Sequence, residues 1–326
     1  MSYTTATQDD ADGGGEQQVI MTPSLASLLL SHHKKVSLLR CIFSFHKTKN
    51  PKHYINLRSS SKLFHSMLQP PPLWTTFPHS NYATLQSLLN RLQSSSGNMP
   101  SVLFIEKGKY GKGSFWGSKD NGAEGLYVRM KKPLSIYGAG RGKTTLVGVG
   151  LWIEGNKSEG LVEIEDLTIK GGGGSGLEAE SGMNVIMRGI TVEFCLYNGV
   201  VADGADITCD DLQVIGCGRS GVVAGNNATI TLSGQGTKIQ GNVTKGNSRY
   251  YGMETNSYSW SRLGYPLQGD STQDSKIQLF APLTKKQIST NNGGGGNWGV
   301  SFGKGTIEQV SKKSPTVLAK GTTFGR

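Results

Sequence analysis

The feature that most constrains this chain is an internal repeat between Glu159 and Asn227. Apolar-polar-apolar triplets begin at Leu167, Ile190 and Leu212, so the starts are 23 and 22 residues apart. Fixed periods of this length are typical of stacked architectures, in which each unit buries the apolar side of the previous one. A unit of this size, holding several short strands and glycine corners, predicts one turn of a parallel β-helix.

A second column of residues repeats at the same spacing, with glycine at Gly176, Gly199 and Gly221 and, after a longer interval, at Gly252. In stacked coils the backbone hydrogen bonds run between turns, so each inward side chain rests on its equivalents above and below. Parallel crossovers are overwhelmingly right-handed, and we expect that hand here. The expected inward stacks are Leu167, Ile190 and Leu212, and Ile169, Val192 and Val214.

Composition supports a mainly β solenoid over residues 101–310. Of the 46 glycines, 43 lie after position 96, and no proline occurs between Leu134 and Tyr265. Glycine permits tight corners between sheets, whereas proline would remove a ladder donor. The formal charge of +11 is scattered along the chain, so we expect no specific nucleic-acid partner.

Two of the four cysteines are expected to pack in the core of the solenoid. Cys195 and Cys217 fall in one repeat column, just before the glycine corner, and the chain has no CxxC pair. We expect stacked small core residues there, with a disulfide between adjacent coils as the less favoured alternative. No secretory signal and no membrane span are visible, so we expect a protein of the cytoplasm or nucleus.

The rest of the chain divides by composition and pattern. Residues 1–20 are polar and are expected to be a disordered tail. A small all-α module is expected at 21–78, and a capping helix (Asn81 to Leu92) with a linker at 79–100. Residues 256–275 break the period and are expected to be an inserted loop, whereas 311–326 form a basic C-terminal tail.

The helical module carries a family resemblance. Three segments resemble an F-box: Leu39-Arg-Cys-Ile-Phe-Ser-Phe45, Ile55-Asn-Leu-Arg-Ser-Ser-Ser-Lys-Leu-Phe64 and Pro72-Leu-Trp74. The whole chain resembles the F-box plus right-handed β-helix, pectin-lyase-like proteins of microalgae and protists. The resemblance implies a non-catalytic protein-interaction module, a substrate receptor of a cullin-type ubiquitin ligase whose β-helix recognises a protein target. The residues it implies for binding a Skp1-type adaptor are Leu38, Leu39, Ile42, Phe43, Leu57, Leu73 and Trp74.

The glycine-rich segment from Gly138 to Thr144 is a candidate phosphate loop that fails on inspection. A Walker A loop would need glycine where the chain has Tyr137, and a dinucleotide fingerprint would need glycine at Lys143. We expect a solenoid corner instead.

Catalytic chemistry finds little support in the residue pattern. All six histidines lie at or before His79, outside the solenoid. Asp210 and Asp211 have Arg188 and Gly189 one coil earlier, so they begin no carboxylate column, and Arg188 is expected to pair with Asp166. We therefore expect no enzyme, no cofactor and no metal site. Possible contacts on the solenoid faces are Asp203, Asp206, Asp210, Asp211, Arg219, Trp260 and Tyr265.

Two alternatives remain open. One is a carbohydrate-binding or carbohydrate-active β-helix protein, which would need an exposed column of carboxylates and would have a glycan as partner. The other is a structural scaffold with a degenerate F-box. Under every alternative we expect a monomer.

Overall fold

The computed structural model describes residues 74–94, 99–111, 125–180, 182–257, 259–260, 266–267 and 274–310. Within them the chain coils through three long parallel sheets, which we number in the order that each coil visits them. The fold is mainly β and is that of a parallel β-helix. The expectations for residues 1–73 and 311–326, which cover both tails and most of the helical module, lie outside the described residues.

Sheet 1 holds nine strands: β1 (Trp74–Phe77), β2 (Val102–Ile105), β5 (Leu134–Gly138), β8 (Leu161–Glu165), β11 (Asn184–Arg188), β14 (Asp206–Asp210), β17 (Thr229–Ser233), β22 (Ser275–Phe280) and β25 (Gly305–Val310). Sheet 2 holds seven: β3 (Gly108–Tyr110), β6 (Thr144–Val147), β9 (Thr168–Lys170), β12 (Thr191–Glu193), β15 (Gln213–Ile215), β18 (Lys238–Gln240) and β23 (Ser289–Thr290). Sheet 3 holds seven: β4 (Gly125–Arg129), β7 (Gly150–Glu154), β10 (Leu177–Glu180), β13 (Val200–Asp203), β16 (Val222–Gly225), β19 (Met253–Asn256) and β24 (Trp298–Phe302).

The register confirms the repeat that the sequence predicts. Val192 lies opposite Ile169 on one side and Val214 on the other, all fully buried. The neighbouring stack of Leu167, Ile190 and Leu212 is also fully buried. The inward side chains of all three sheets pack into one continuous apolar core. Each coil thus covers the apolar side of the previous one.

Left-handed residues bend the chain between sheets. After the strands of sheet 1, Asp166 and Asp211 have φ of 56° and 55°, and glycines take the equivalent place in the coils between and beyond them. Asp166 therefore belongs to the corner, and the strand before it ends at Glu165. This one-residue offset corrects the expected pairing of Asp166 with Arg188, because Arg188 instead contacts Glu165 at 2.6 Å and Glu163 at 3.5 Å.

A helix lies against the first coils of the solenoid. Helix α1 (Leu85–Leu92) buries Leu85, Leu88, Leu89 and Leu92, and Thr84 caps it by accepting a hydrogen bond from the Ser87 amide. The Gln86 side chain donates to the Tyr127 carbonyl at 2.7 Å and accepts from the Tyr127 amide at 2.8 Å. These bonds satisfy backbone groups at the edge of sheet 3, where β4 is the terminal strand among the residues that the structure describes. The helix begins at Leu85 rather than at the expected Asn81.

One further boundary differs from expectation. Trp74, expected to close the helical module, begins β1, which pairs in parallel with β2. Its ring meets the Phe104 ring edge-on at 5.2 Å, on the outer side of sheet 1. The parallel stack therefore starts at Trp74, 27 residues before the expected position 101.

The C-terminal coils carry the interruption that the loss of period indicates. Between β19 and β22 the chain forms a separate antiparallel pair, β20 (Ser259–Trp260) and β21 (Pro266–Leu267). A short helix, α2 (Lys285–Ile288), connects sheet 1 to sheet 2 in the last full coil. Among the described residues, no helix has the length and apolar character needed to cross a membrane.

Candidate functional site

The outer face of sheet 3 carries side chains that belong neither to the apolar core nor to the corners between sheets. Inward positions along this sheet, such as Leu151, Leu177 and Val200, are fully or nearly fully buried in the core. Because successive side chains of a strand point to opposite faces, the residues between them point outward. They form two columns. The first column holds Tyr127, Trp152, Glu178, Val201, Val223 and Glu254, and the second holds Arg129, Glu154, Glu180 and Asp203.

Two aromatic rings form a platform at the N-terminal end of this face. Tyr127 and Trp152 are register partners, and their rings stack with centroids 5.7 Å apart and an interplanar angle of 18°. Both residues are half-buried, and the hydrogen bonds between Gln86 and the Tyr127 backbone fix the position of the first ring. A flat, rigid and apolar surface of this kind suits the C–H face of a sugar ring.

Carboxylates follow the rings along the same face. Glu178 and Glu180 are two residues apart on one strand and therefore share its outer side. Asp203 lies opposite Glu180 on the next coil. The backbones of neighbouring strands are roughly 4.8 Å apart, so the two side chains leave the sheet from adjacent positions. Glu154, one coil earlier in the same column, is held by Arg129 at 2.5 Å.

The solvent exposure of the outward side chains decreases along the outer face of sheet 3, from β7 towards β16. Trp152, Glu178 and Glu180 are half-buried, whereas Asp203 is 5 % exposed and Val201 and Val223 are 1 % exposed. Neither valine belongs to the core cluster. Asp203 therefore lies at the boundary between two parts of the face. The part on β7 and β10 is accessible to a ligand, and the part on β13 and β16 is covered.

Glu254 lies at the covered end of the first column and is fully buried. Burial raises the pKa of its carboxyl, while hydrogen bonds from Ser220, Ser301 and Asn256 act in the opposite direction by favouring the charged form. The Ser301 hydroxyl donates to Oε1 at 2.5 Å, the Asn256 amide donates to the same oxygen at 3.4 Å, and the Ser220 hydroxyl donates to Oε2. Without solvent access, this carboxyl has no route to a ligand.

The face contacts proposed from the sequence do not form one cluster. Of the aspartates, Asp203 alone lies on the outer face of sheet 3. Asp206 and Asp210 lie at the two ends of β14 in sheet 1, both exposed, with Asp206 3.6 Å from the Lys157 ammonium. Asp211 is a corner residue whose Oδ1 accepts a hydrogen bond from the Gly236 amide at 2.7 Å.

The remaining predicted residues lie elsewhere. Arg219 lies on the connection from sheet 2 to sheet 3, with its guanidinium carbon 4.1 Å from the centre of the Tyr197 ring. Trp260 belongs to β20, and Tyr265 is outside the described residues. Of the residues that the F-box resemblance implies for adaptor binding, Trp74 is in sheet 1. The others, Leu38, Leu39, Ile42, Phe43, Leu57 and Leu73, lie outside the described residues.

The sequence contained a signal for the site that was missed. Glu180 and Asp203 are 23 residues apart, which is the period of the repeat, and this spacing is what places them on adjacent coils. The aspartates considered for a carboxylate column, Asp210 and Asp211, have Arg188 and Gly189 one coil earlier instead of carboxylates. Trp152 and Glu154 were harder to find, because they are 26 residues before Glu178 and Glu180 and so depart from the period.

The corner and the cysteines are as expected. The segment from Gly138 to Thr144 turns between β5 and β6 with no helix after it, and Thr144 closes the turn by accepting a hydrogen bond from the Ala139 amide at 2.8 Å. Cys195 and Cys217 are buried free thiols. Across the described residues, no group of three or more histidine, cysteine, aspartate or glutamate side chains is arranged to hold a metal ion.

No protein-family model matches the chain, and no curated protein matches it. Among solved structures, similar chains are catalytic domains of GH87 alpha-1,3-glucanases. A complex with tetrasaccharides has a TM-score of 0.39 at 17% identity, covering 65% of this chain and 46% of that one. A second tetrasaccharide complex has a TM-score of 0.33 at 14% identity, covering 75% and 57%, and a nigerose complex has 0.31 at 16%, covering 74% and 55%. This chain thus spans about half the length of those domains.

These comparisons correct one expectation and leave another without support. The expectation that the chain is not an enzyme is contradicted, because the structures found are all described as catalytic domains. No comparison returned an F-box protein, so the ubiquitin-ligase role rests on the sequence motif alone. The parallel β-helix itself rests on the three sheets and their register.

Proposed function

We propose that this chain is a carbohydrate-active β-helix protein that binds a glycan along the outer face of sheet 3 and hydrolyses a glycosidic bond there. The observation that carries the proposal is the register pairing of Glu180 with Asp203, in one outward column beside the stacked rings of Tyr127 and Trp152. Glycosidic hydrolysis needs two carboxyl groups flanking the bond, and rings of this kind orient a sugar.

The chemistry assigns complementary roles to the two carboxyl groups. One, in its acid form, gives its proton to the glycosidic oxygen as the bond to the leaving sugar breaks. The other, as a carboxylate, attacks the anomeric carbon, and a water molecule then releases the sugar as the first group takes back a proton. The net reaction consumes one water and produces one new reducing end. Trp152 and Tyr127 bind and orient the glycan.

The test is release of reducing ends from a panel of polysaccharides that includes alpha-1,3-glucan, the substrate named for the structural neighbours. Wild-type protein is compared with Glu180→Gln and Asp203→Asn, which keep side-chain size and remove the acid. Asp206→Asn is the matched control, because Asp206 is exposed on sheet 1, away from the face. We expect wild type to cleave at least one polymer, each face variant to lose about 10²- to 10⁴-fold in rate, and the control to retain activity.

Two results would overturn the proposal. One is a wild-type protein that releases no reducing ends from any polymer in the panel. The other is cleavage by Glu180→Gln and Asp203→Asn at the rate of the Asp206→Asn control. Trp152→Ala separates binding from chemistry, since the loss of the ring should raise KM more than it lowers kcat. Circular dichroism of each variant checks that the fold is kept.

A further inference from the structure

A second surface, distinct from the outer face of sheet 3, lies along the connections from sheet 2 to sheet 3. Five successive connections follow β9, β12, β15, β18 and β23 and span residues 171–176, 194–199, 216–221, 241–252 and 291–297. These segments contain no aspartate or glutamate, but they contain Arg219, Lys245 and Arg249. They also supply Phe194, Tyr197 and Tyr250. We call the six residues the basic edge.

Backbone hydrogen bonds between coils fix the spacing of this edge. The Tyr197 amide donates to the Gly174 carbonyl at 3.1 Å, the Arg219 amide to the Tyr197 carbonyl at 2.9 Å, and the Val243 amide to the Arg219 carbonyl at 2.9 Å. Tyr197 and Arg219 therefore occupy equivalent places on adjacent coils. This backbone ladder holds Tyr197 and Arg219, and the Lys245 amide joins it by donating to the Gly218 carbonyl at 3.4 Å.

The cations of the edge converge on shared rings. The Arg219 guanidinium lies 4.1 Å from the centre of the Tyr197 ring and 5.3 Å from that of Tyr250. The Lys245 ammonium lies 5.6 Å from the same Tyr197 ring. Two like charges that share one ring repel each other, and an anion bound between them would remove that cost.

The cations of the basic edge differ from the nearby Lys170 in whether an acidic side chain pairs with them. Lys170, which lies 5.1 Å from the centre of the Phe194 ring, is paired with Glu193 at 2.8 Å. For Arg219, Lys245 and Arg249, the described residues provide no ion pair. Lys245 and Arg249 are exposed, and Phe194 keeps 54 % of its surface in solvent. The edge thus offers uncompensated positive charge beside apolar rings.

We propose that the basic edge binds an acidic polysaccharide, with its sulfate or carboxylate groups paired to Arg219, Lys245 and Arg249 and its sugar rings against Phe194 and Tyr197. Guanidinium groups bind sulfate and carboxylate in a bidentate manner, and stacking on Tyr197 and Tyr250 already holds the Arg219 fork in position. Several cations on two adjacent connections suit a polymer with repeated charges. This surface goes beyond the proposed hydrolysis and does not depend on it.

The test is affinity electrophoresis of the full-length protein in gels containing dextran sulfate, polygalacturonate or uncharged dextran. We expect retardation by at least one acidic polymer and none by dextran, with dextran sulfate and polygalacturonate distinguishing sulfate from carboxylate recognition. Arg219→Ala and Lys245→Ala should each weaken binding about tenfold. Arg219→Lys keeps the charge but loses the planar stacked fork, so it should fall between wild type and Arg219→Ala.

The control is Lys276→Ala, which removes an exposed cation from sheet 1 and changes net charge by the same amount. Equal weakening by Lys276→Ala and Arg219→Ala would contradict the proposal, because only net charge would then matter. Failure of both acidic polymers to retard wild type would also overturn it. So would tighter, Arg219-dependent binding of a single-stranded DNA of matched charge, which would assign the edge to nucleic acid.

The proposed hydrolysis and the proposed binding at the basic edge can be disproved independently of each other. Glu180→Gln should bind the acidic polymers as wild type does, and Arg219→Ala should release reducing ends from a short soluble glycan as wild type does. Absence of hydrolysis with retained polymer binding would overturn the proposed function alone. Retained hydrolysis without polymer binding would overturn the basic edge alone.

Discussion

Single residues at the corners decide whether the coils can stack. Gly199 precedes β13, and a Cβ built there would lie 2.2 Å from Cγ1 of Val214 and 2.5 Å from the Gly221 carbonyl oxygen. Gly176 and Gly221 occupy the equivalent places on adjacent coils and are crowded in the same way. Gly174, only two residues from Gly176, would meet nothing within 4 Å. The column is therefore glycine because of close packing against the next coil.

Substitution of Gly199 should test this crowding. We expect Gly199→Ala to lower the free energy of unfolding by about 1–3 kcal/mol, because the contacts involve backbone and a packed valine that cannot move aside. Gly174→Ala is the matched control and should change it by less than about 1 kcal/mol. Urea denaturation gives both values. Equal effects of the two substitutions would show that the packing at Gly199 is not limiting.

Glu254 makes stability depend on pH. Its pKa is raised in the folded protein, chiefly by burial, whereas an unfolded glutamate titrates near about 4.3. Below that value both states are protonated and the group has no effect. As pH rises from there through the folded pKa, the unfolded state loses its proton first, so the folded state loses stability. Glu254→Gln removes this titration while keeping the shape of the side chain.

We therefore expect the melting temperature of wild type to fall relative to Glu254→Gln as pH rises from 4 to 7, as measured by thermal unfolding at several pH values. Glu308→Gln, at a partly buried position on β25, serves as the control for loss of one negative charge. A difference between wild type and Glu254→Gln that stays constant over this range would contradict a raised pKa at this position.

At the scale of elements, the spacing of neighbouring strands determines what the carboxyl pair can do. Partners on parallel strands are roughly 4.8 Å apart, and retaining glycosidases hold their two carboxyl groups about 5–5.5 Å apart, whereas inverting enzymes leave room for a water. Glu180 and Asp203 lie on adjacent strands, with no strand between them. If Glu180 and Asp203 act as the proposed acid and nucleophile, this strand spacing favours a covalent intermediate over direct attack by water.

Cleavage on this face should therefore retain the configuration of the anomeric carbon. Proton NMR of a fresh digest, recorded before the anomers equilibrate, distinguishes the two outcomes. A product with inverted configuration would mean that the reacting carboxyl groups are farther apart than Glu180 and Asp203, and would exclude this pair as acid and nucleophile.

Strands were easier to predict than the pairs that form between them. The strands β9, β12 and β15 lie at the repeated apolar-polar-apolar triplets that predict them, because one buried face requires alternation. A shift of the register by a single residue changes which side chains become cross-strand partners. Arg188 was expected beside Asp166 and lies beside Glu165 and Glu163, since a left-handed corner at Asp166 ends the strand one residue earlier.

At the scale of the whole molecule, the repeat was enough to predict a solenoid with one continuous core. The same repeat places Glu180 and Asp203 in one column, although Asp203 was predicted only as a face contact and Glu180 was not predicted at all. It could not reveal Trp152 beside Tyr127, because those coils are 25 residues or more in length and the period fails there. The outward side chains of sheet 3 are half-buried on β7 and β10 but buried on β13 and β16. The repeat could not predict this difference, because equivalent positions of a repeat are expected to have equal exposure.

The central proposal is that a glycan binds along the outer face of sheet 3. The most direct measurement is a crystal structure of Glu180→Gln with an oligosaccharide prepared from whichever polymer wild type cleaves. We expect sugar rings to stack on Trp152 and Tyr127, with a glycosidic oxygen within hydrogen-bonding distance of position 180 or of Asp203. An oligosaccharide bound on sheet 1 or sheet 2, with the outer face of sheet 3 unoccupied, would contradict the account.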